Sequence, residues 1–334
     1  MLRIYLTIDT ECREERLVDG RLQPAAGYDL RVWGRFGNQA RELGIPLIMD
    51  EFEAHGLRGS FYVDPFGAEF FGRDELKQVC HAILKRGHDV QLHAHPVQQE
   101  ADWITRQIEP PPDDMAAYDL EQQVELLTRG RQVLIDCGVP EDSLVSFRAG
   151  NFGANNDTWR AMAKCGLSIS TNYNPCYRSK NSELEWPELE VELFNTGEGV
   201  WELPISNFIE PGGGYRHLQI TAVSLAEMKD LLSKAEKMGV REVTIVTHSF
   251  EFMYLESVEK RTGRLNRVNF SRLRGLCRFL ADNADRFRVE TIADLSEHLP
   301  ESRDDSLHQL PRGSRMLRFG RLLQQAYKRL DMKL

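Results

Sequence analysis

Two short polar pairs invite a chemical reading. Asp9-Thr10-Glu11 and His93-Ala94-His95 each set two potential metal-binding or proton-transferring groups two residues apart. In extended chain, residues i and i+2 project to the same face, so both imidazoles can reach one cation and both carboxylates can share a face. Neutral imidazole suits zinc and other borderline divalent ions, and two histidines with one carboxylate form a ligand set that leaves a position open for water. Each pair also has a plain reading: one histidine in the core with its neighbour solvated, or two carboxylates at the mouth of a loop. Thr7-Ile8 read as buried-strand residues, so the plain reading would leave charge beside the core without partners, which is costly. Arg148 follows Leu144-Val-Ser-Phe147. Its guanidinium cannot shed its charge and needs an anion, for which Asp9 is the economical partner. His248 follows the apolar run Val243–Val246, and a structural role competes with a chemical one there. His55, His81, His88, His298 and His308 fall in helices, helix ends or strand starts and read as structural.

The elements that must position these groups alternate. A β-type run over 2–8 ends at Asp9, and residues 12–40 form a long polar excursion before the first regular helix. Pro46 heads the helical run 47–55 and Gly56 closes it, the expected brackets of a helix. Strands follow at 59–64, 88–93, 144–148, 241–247 and 287–292. Helices are expected at 74–86, 119–137, from a cap at Asp157 through Cys165, 224–238 and 270–284. Strands alternating with helices of this length imply βαβ units around a parallel sheet. About six or seven units fit between residues 1 and 298, one barrel-like domain over 1–300, with 301–334 as a linker and terminal helix. The chemical residues lie at C-terminal strand ends, where active sites of such sheets form. The Pro-rich piece 109–113 and the polar stretch 174–200 read as surface loops.

Composition narrows the function classes. The chain has 334 residues, 41% hydrophobic and 28% charged, ordinary globular usage. No stretch reaches the length of a membrane span, and Met1–Asp9 lacks the pattern of a secretory signal. Cysteines 12, 80, 137, 165, 176 and 277 form no CxxC pair, which excludes a thiolate zinc signature and implies no disulfide framework. A cytosolic protein is expected. The net charge is −9, and residues 311–334 alone carry +6. The remaining −15 argues against a body that binds nucleic acid.

Taken in order, five segments resemble the motifs of the polysaccharide deacetylases, carbohydrate esterase family 4, with the NodB-homology fold. They are Thr7-Ile-Asp9-Thr-Glu11, Gly87-His-Asp-Val-Gln-Leu-His93-Ala-His95-Pro96, Phe147-Arg148-Ala-Gly150-Asn-Phe152, Trp201-Glu202-Leu-Pro204 and Thr247-His248-Ser249. The resemblance covers about residues 1–298, and the short His-x-His-Pro form is similar to the WalW-like branch linked to lipopolysaccharide biosynthesis. It implies an α/β fold, an irregular (β/α)7 barrel. It also implies a metal-dependent hydrolase, zinc being the expected cation, that removes an N-acetyl group from a sugar or glycan intermediate of surface polysaccharide or lipopolysaccharide assembly. Carried over, Asp9 matches the base and Glu11 the metal carboxylate. His93 matches the first metal histidine, Arg148 the arginine that holds the base, and His248 the general acid. Three departures matter: Asp9-Thr10-Glu11 replaces adjacent aspartates, Val97 stands where the second metal histidine belongs so that His95 must substitute, and the third motif lacks its proline. Tyr173, Trp201 and Glu202 are expected substrate contacts, with Trp33 a further stacking candidate and a backbone N–H near Asn172-Tyr173 an oxyanion donor. The altered motifs keep two other readings open: a catalytically silent carbohydrate-binding or scaffold member, and a hydrolase of O-acetyl groups or other amides.

The tail is separate. Over 314–334, Met316, Phe319, Leu322, Leu323, Ala326, Tyr327 and Leu330 recur at helical spacing, with the basic residues mostly elsewhere on the wheel. That is the profile of an interfacial helix on anionic lipid, which would place the protein peripherally at the inner membrane. A helix docking on the barrel or on a partner subunit has the same pattern.

Overall fold

The computed structural model describes residues 1–178, 180–186, 189–302 and 309–331. His308 lies outside them. The central element is a nine-stranded sheet. In chain order its strands are β1 (Leu2–Thr10), β2 (Ser60–Val63), β3 (Asp89–Ala94), β4 (Ser146–Ala149), β5 (Ile169–Ser170), β6 (Phe194–Asn195), β7 (Trp201–Glu202), β8 (Glu242–His248) and β9 (Phe287–Glu290). The spatial order is β8-β1-β2-β3-β4-β5-β7-β6, and β9 pairs with the start of β1. All pairings are parallel except β6 with β7. Helices Ile45–Glu53, Arg73–Lys85, Leu120–Asp136, Asn156–Lys164, Leu225–Lys237 and Arg267–Asp282 make the crossovers. This is the expected α/β barrel-like architecture, as a curled and incompletely closed sheet.

Side-chain alternation sorts the core into two layers. Leu2, Ile4, Leu6 and Ile8 of β1 face outward into the main cluster with the helices, whereas Tyr5 faces inward with Tyr62, Ile169, Trp201 and Leu203. Above that inner apolar floor the interior turns polar, with Thr7, Ser146, Arg148 and Thr171 all buried.

Helix starts follow local capping chemistry. Asp119 and Ser224 each form a reciprocal capping box with the side chain three residues on. For the helix Asn156–Lys164 the cap is Asn155, not Asp157. Asp157 instead lies in the first turn, where its charge favours the helix dipole and pairs with Arg160 at 2.7 Å. The excursion over 12–40 holds a hairpin (Arg16–Val18 with Arg21–Gln23) and a π-helical turn, Asp29–Trp33. Trp33 is buried in the main cluster and does not line the cavity around Asp9 and His93. The stretch 174–200 is more than a surface loop. Val191, Leu193 and Phe194 are buried, and Glu192 accepts hydrogen bonds from the Arg241 main chain (2.5 Å) and guanidinium (3.0 Å).

Between β6 and β8 the described strands make no ladder, and a strap over 205–220 fills the seam. Ser206 bonds Thr244 through both main chain and side chain, Val246 N–H donates to Leu218 O, and Ile220 N–H donates to Val246 O. The terminal helix, Arg315–Asp331, packs on the outside of this strap and on the helix Leu225–Lys237.

Candidate active site and metal centre

Strand register brings the sequence-distant groups together at one end of the barrel. Asp9 pairs in register with His248 of β8 and with Tyr62 of β2, and His93 pairs with Arg148. Inward-pointing side chains on neighbouring parallel strands therefore stand side by side. Asp9, Glu11, His93, His95 and His248 line one cavity of about 110 Å³ with Ala149, Asn151, Phe152, Tyr177, His217, Gln219 and Val246.

Arg148 is the central post of the interior. Its Nη1 donates to Asp9 Oδ1 at 2.5 Å, Nη2 to Thr7 Oγ1 at 3.0 Å and Nε to Thr171 Oγ1 at 3.1 Å. Its plane lies over the Tyr62 ring, 4.2 Å from the centroid. Each nitrogen of the guanidinium thus has an acceptor and its face an aromatic ring, the pairing a fully buried cation requires. Burial alone would raise the Asp9 carboxyl, but Arg148, His93 and His248 together outweigh it and hold Asp9 below the ordinary carboxylate range. Asp9 is an ionised acceptor with one oxygen pinned and the other, Oδ2, 3.8 Å from His248 Nε2.

Glu11, His93 and His95 form the second cluster. His93 Nδ1–H donates to Arg148 O at 2.7 Å, which fixes the ring and turns Nε2 toward Glu11 Oε2 at 3.2 Å. His95 Nε2 lies 2.9 Å from the same oxygen, and its Nδ1 is held by Asp113 at 2.9 Å. Asp113 is held in turn by Asn151 Nδ2 at 2.7 Å. The three donor atoms lie within 4.8 Å of one another. Two imidazole nitrogens whose partner nitrogens are hydrogen-bonded, converging with one carboxylate, fit a divalent cation and carry the outer-shell contacts that such ligands need. Burial would raise the Glu11 carboxyl, yet the two histidines hold it well below its usual range. Burial likewise disfavours charge on His95, but Glu11 and Asp113 raise it well above an ordinary imidazole.

Space for His95 comes from Gly150, where a Cβ would lie 2.4 Å from the ring. The next two residues, Asn151 and Phe152, take φ of +56° and +55°. Left-handed non-glycine residues are strained, and here the Asn151 contact to Asp113 offsets the cost at the rim of the site.

His248 sits against a carboxylate. Its Nδ1 meets Glu251 Oε1 at 3.0 Å, and Glu251 is anchored by Thr247 Oγ1 (2.6 Å), Thr221 Oγ1 (3.1 Å) and Gln219 Nε2 (2.5 Å). Burial works against the imidazolium, but Glu251, with lesser help from Asp9 and Glu11, raises His248 to about 9.

Not every expected contact reaches the cavity. Tyr173 is buried with its ring against Phe194, and Trp201 faces the apolar floor with Tyr5 and Tyr62. Glu202 points outward from the barrel, accepting the Asn172 N–H (2.7 Å), the Tyr173 N–H (2.8 Å) and Trp159 Nε1 (2.8 Å). The strand parity that aims Trp201 inward sends Glu202 to the opposite face, so the two cannot act on one substrate. Because both amides are committed to Glu202, the expected oxyanion donor near Asn172-Tyr173 is also taken. Conversely, Asp113, Glu251, Gln219, Tyr177 and His217 belong to the site although the sequence singled out none of them. Glu251 lies three residues after His248, a spacing that carries a weak signal. Asp113 comes from the Pro-rich loop, whose direction has no local signature.

No protein-family model matches the chain, and no curated protein does. Solved structures do. Puue allantoinase superposes with a TM-score of 0.51 at 13% identity, covering 89% of each chain. The 4-alpha-glucanotransferase of Thermococcus litoralis gives 0.50 at 10% identity over 90% of this chain and 41% of its own. A Mycobacterium smegmatis protein, provisionally described as a polysaccharide deacetylase, gives 0.48 at 18% identity over 77% and 76%. At these identities the first two likenesses establish the fold and nothing more. Bearers of one fold run different chemistries, so function must be argued from the site.

Proposed function

We propose that the protein is a metal-dependent hydrolase that removes an N-acetyl group from a sugar intermediate of surface polysaccharide or lipopolysaccharide assembly. One observation carries the reading. A pinned, ionised carboxylate (Asp9) and an imidazole biased toward its charged form (His248) flank the same small cavity as the Glu11/His93/His95 donor set. Amide hydrolysis needs this division of labour, one group to accept a proton from water and another to give one to nitrogen.

Glu11, His93 and His95 would hold the cation, which would supply Lewis-acid polarisation of the acyl oxygen and make a nearby water more acidic. Asp9 Oδ2 accepts the proton of the water that attacks the acyl carbon, while Arg148 holds the other oxygen in place. As the C–N bond breaks, His248 Nε2 gives its proton to the departing amine, and Glu251 stabilises the charged ring until then. Water and amide are consumed, and acetate and a free amino sugar leave. The cavity volume suits a small acyl group, with the sugar ring at the mouth.

The test couples metal content to turnover. Elemental analysis of protein purified without added metal or tag histidines should show about one divalent ion per chain, as expected of one three-ligand site, and His93→Ala should lose it. Asp9→Asn should keep the ion while acetate release from acetylated amino sugars falls by about a hundredfold or more. Metal absent from the wild type even after titration with zinc, cobalt and manganese would reject this reading in favour of a silent binding protein.

A further inference from the structure

The terminal helix Arg315–Asp331 is docked with its faces reversed. A helix that packs on a protein body ordinarily turns its apolar stripe inward. Here the one fully buried residue among the described side chains of the helix is a cation, with Leu317 only half-buried. Arg321, with its side chain only 2% exposed, pairs with Glu210 and with Glu227 (3.3 Å) and donates to Ala222 O. Arg318 donates to Pro211 O, and Gln324 accepts from Arg272 at 2.9 Å. These bonds fix the rotation of the helix. Met316, Phe319, Leu322, Leu323 and Tyr327 are left facing solvent, each between 48% and 78% exposed. Those five are among the twelve large hydrophobic side chains exposed in the described residues, gathered on one helix.

We propose that this face is a docking surface for an anionic lipid bilayer. Charge selects the occupant. Exposed Arg312 and Arg315 lie at the start of the stripe. The segment 311–334 carries +6 by sequence, of which, among the described side chains, Arg321 alone is buried and paired inward, on a body of −15. An acidic surface therefore attracts the helix and repels the rest, which orients the molecule with the stripe toward the headgroups. A second copy of the chain fits poorly, because basic residues occur near both ends of the segment and only Asp331 opposes them. Either orientation of two such helices would bring like charges together. Aromatic Phe319 and Tyr327 suit the boundary between headgroups and acyl chains. This inference rests on the helix alone and stands apart from the hydrolase reading.

Co-sedimentation of the full-length protein with vesicles tests it. Binding is expected to vesicles of phosphatidylcholine with phosphatidylglycerol, to be weak to phosphatidylcholine alone, and to decline as salt is raised. Phe319→Ser with Leu323→Ser should weaken binding by about tenfold or more, since affinity follows buried apolar area. Both positions are exposed, so the circular dichroism spectrum and thermal midpoint should match the wild type. Wild-type protein that stays in the supernatant, or a double variant that sediments like the wild type, overturns the proposal. So does sedimentation velocity showing a wild-type dimer that the double variant abolishes, which would assign the face to self-association.

Discussion

At the scale of single residues, the proposed reaction separates groups that react from groups that aim them. Asp113 aims His95 and touches nothing else that reacts, so Asp113→Asn should weaken divalent-cation affinity by about 10- to 100-fold, read by competition with a chelating dye. Glu251 sets the proton affinity of His248, and the sign follows directly. An acid must be protonated to act, so its contribution is present below its pKa and lost as pH rises through about 9. Glu251→Gln removes the chief group that raises it, and the alkaline limb of the rate profile should move down toward the ordinary imidazole range of about 6.5. An unchanged limb would assign that limb to another group. Asp9, Glu11, His93, His95, Arg148 and His248 were legible in the sequence because each sits at or just beyond a strand end that local patterning marks. Asp113 and Glu251 were not. One comes from a loop whose path depends on tertiary contacts, and the other from a turn whose direction follows from bonds to Thr221 and Gln219.

At the scale of elements, the helices bracketed by proline, glycine and capping residues lie within about three residues of their expected ends, boundary drift that is normal for helices. The main failures have physical causes. Strand β7 is two residues long, and nothing local states which of Trp201 and Glu202 faces the barrel axis. The stretch 174–200 reads as loop because its buried anchors, Val191 to Phe194, are a short run inside a longer polar stretch. Glu202 binds the short β7 to the chain after β5 by accepting two main-chain N–H groups and the Trp159 indole. Glu202→Ala leaves three buried donors without partners at about 1–3 kcal/mol each. A loss of about 3 kcal/mol or more is expected in urea unfolding. A loss under about 1 kcal/mol, within the range of ordinary surface substitutions and small repacking, would show that water or a neighbour replaces the carboxylate.

At the scale of the whole molecule, the barrel is graded along its axis. An apolar floor of Tyr5, Tyr62 and Trp201 lies below the buried Arg148 post, and the reacting groups lie above it. The curled sheet resembles a split cylinder whose slit is covered by the 205–220 strap. That strap has a consequence for solubility. An uncovered β8 would present Val243, Ile245 and Val246 along a free hydrogen-bonding edge, the kind of edge that templates strand addition between molecules. The main-chain bonds from Leu218 and Ile220 to Val246 occupy that edge in the folded chain. Ile220→Pro deletes one of those donors, and light scattering should then rise on heating well before helical ellipticity is lost, whereas in the wild type the two should change together. The strap thus acts as a built-in guard against fibre-like association, and it is the piece whose loosening would turn a dispersed protein into a sticky one.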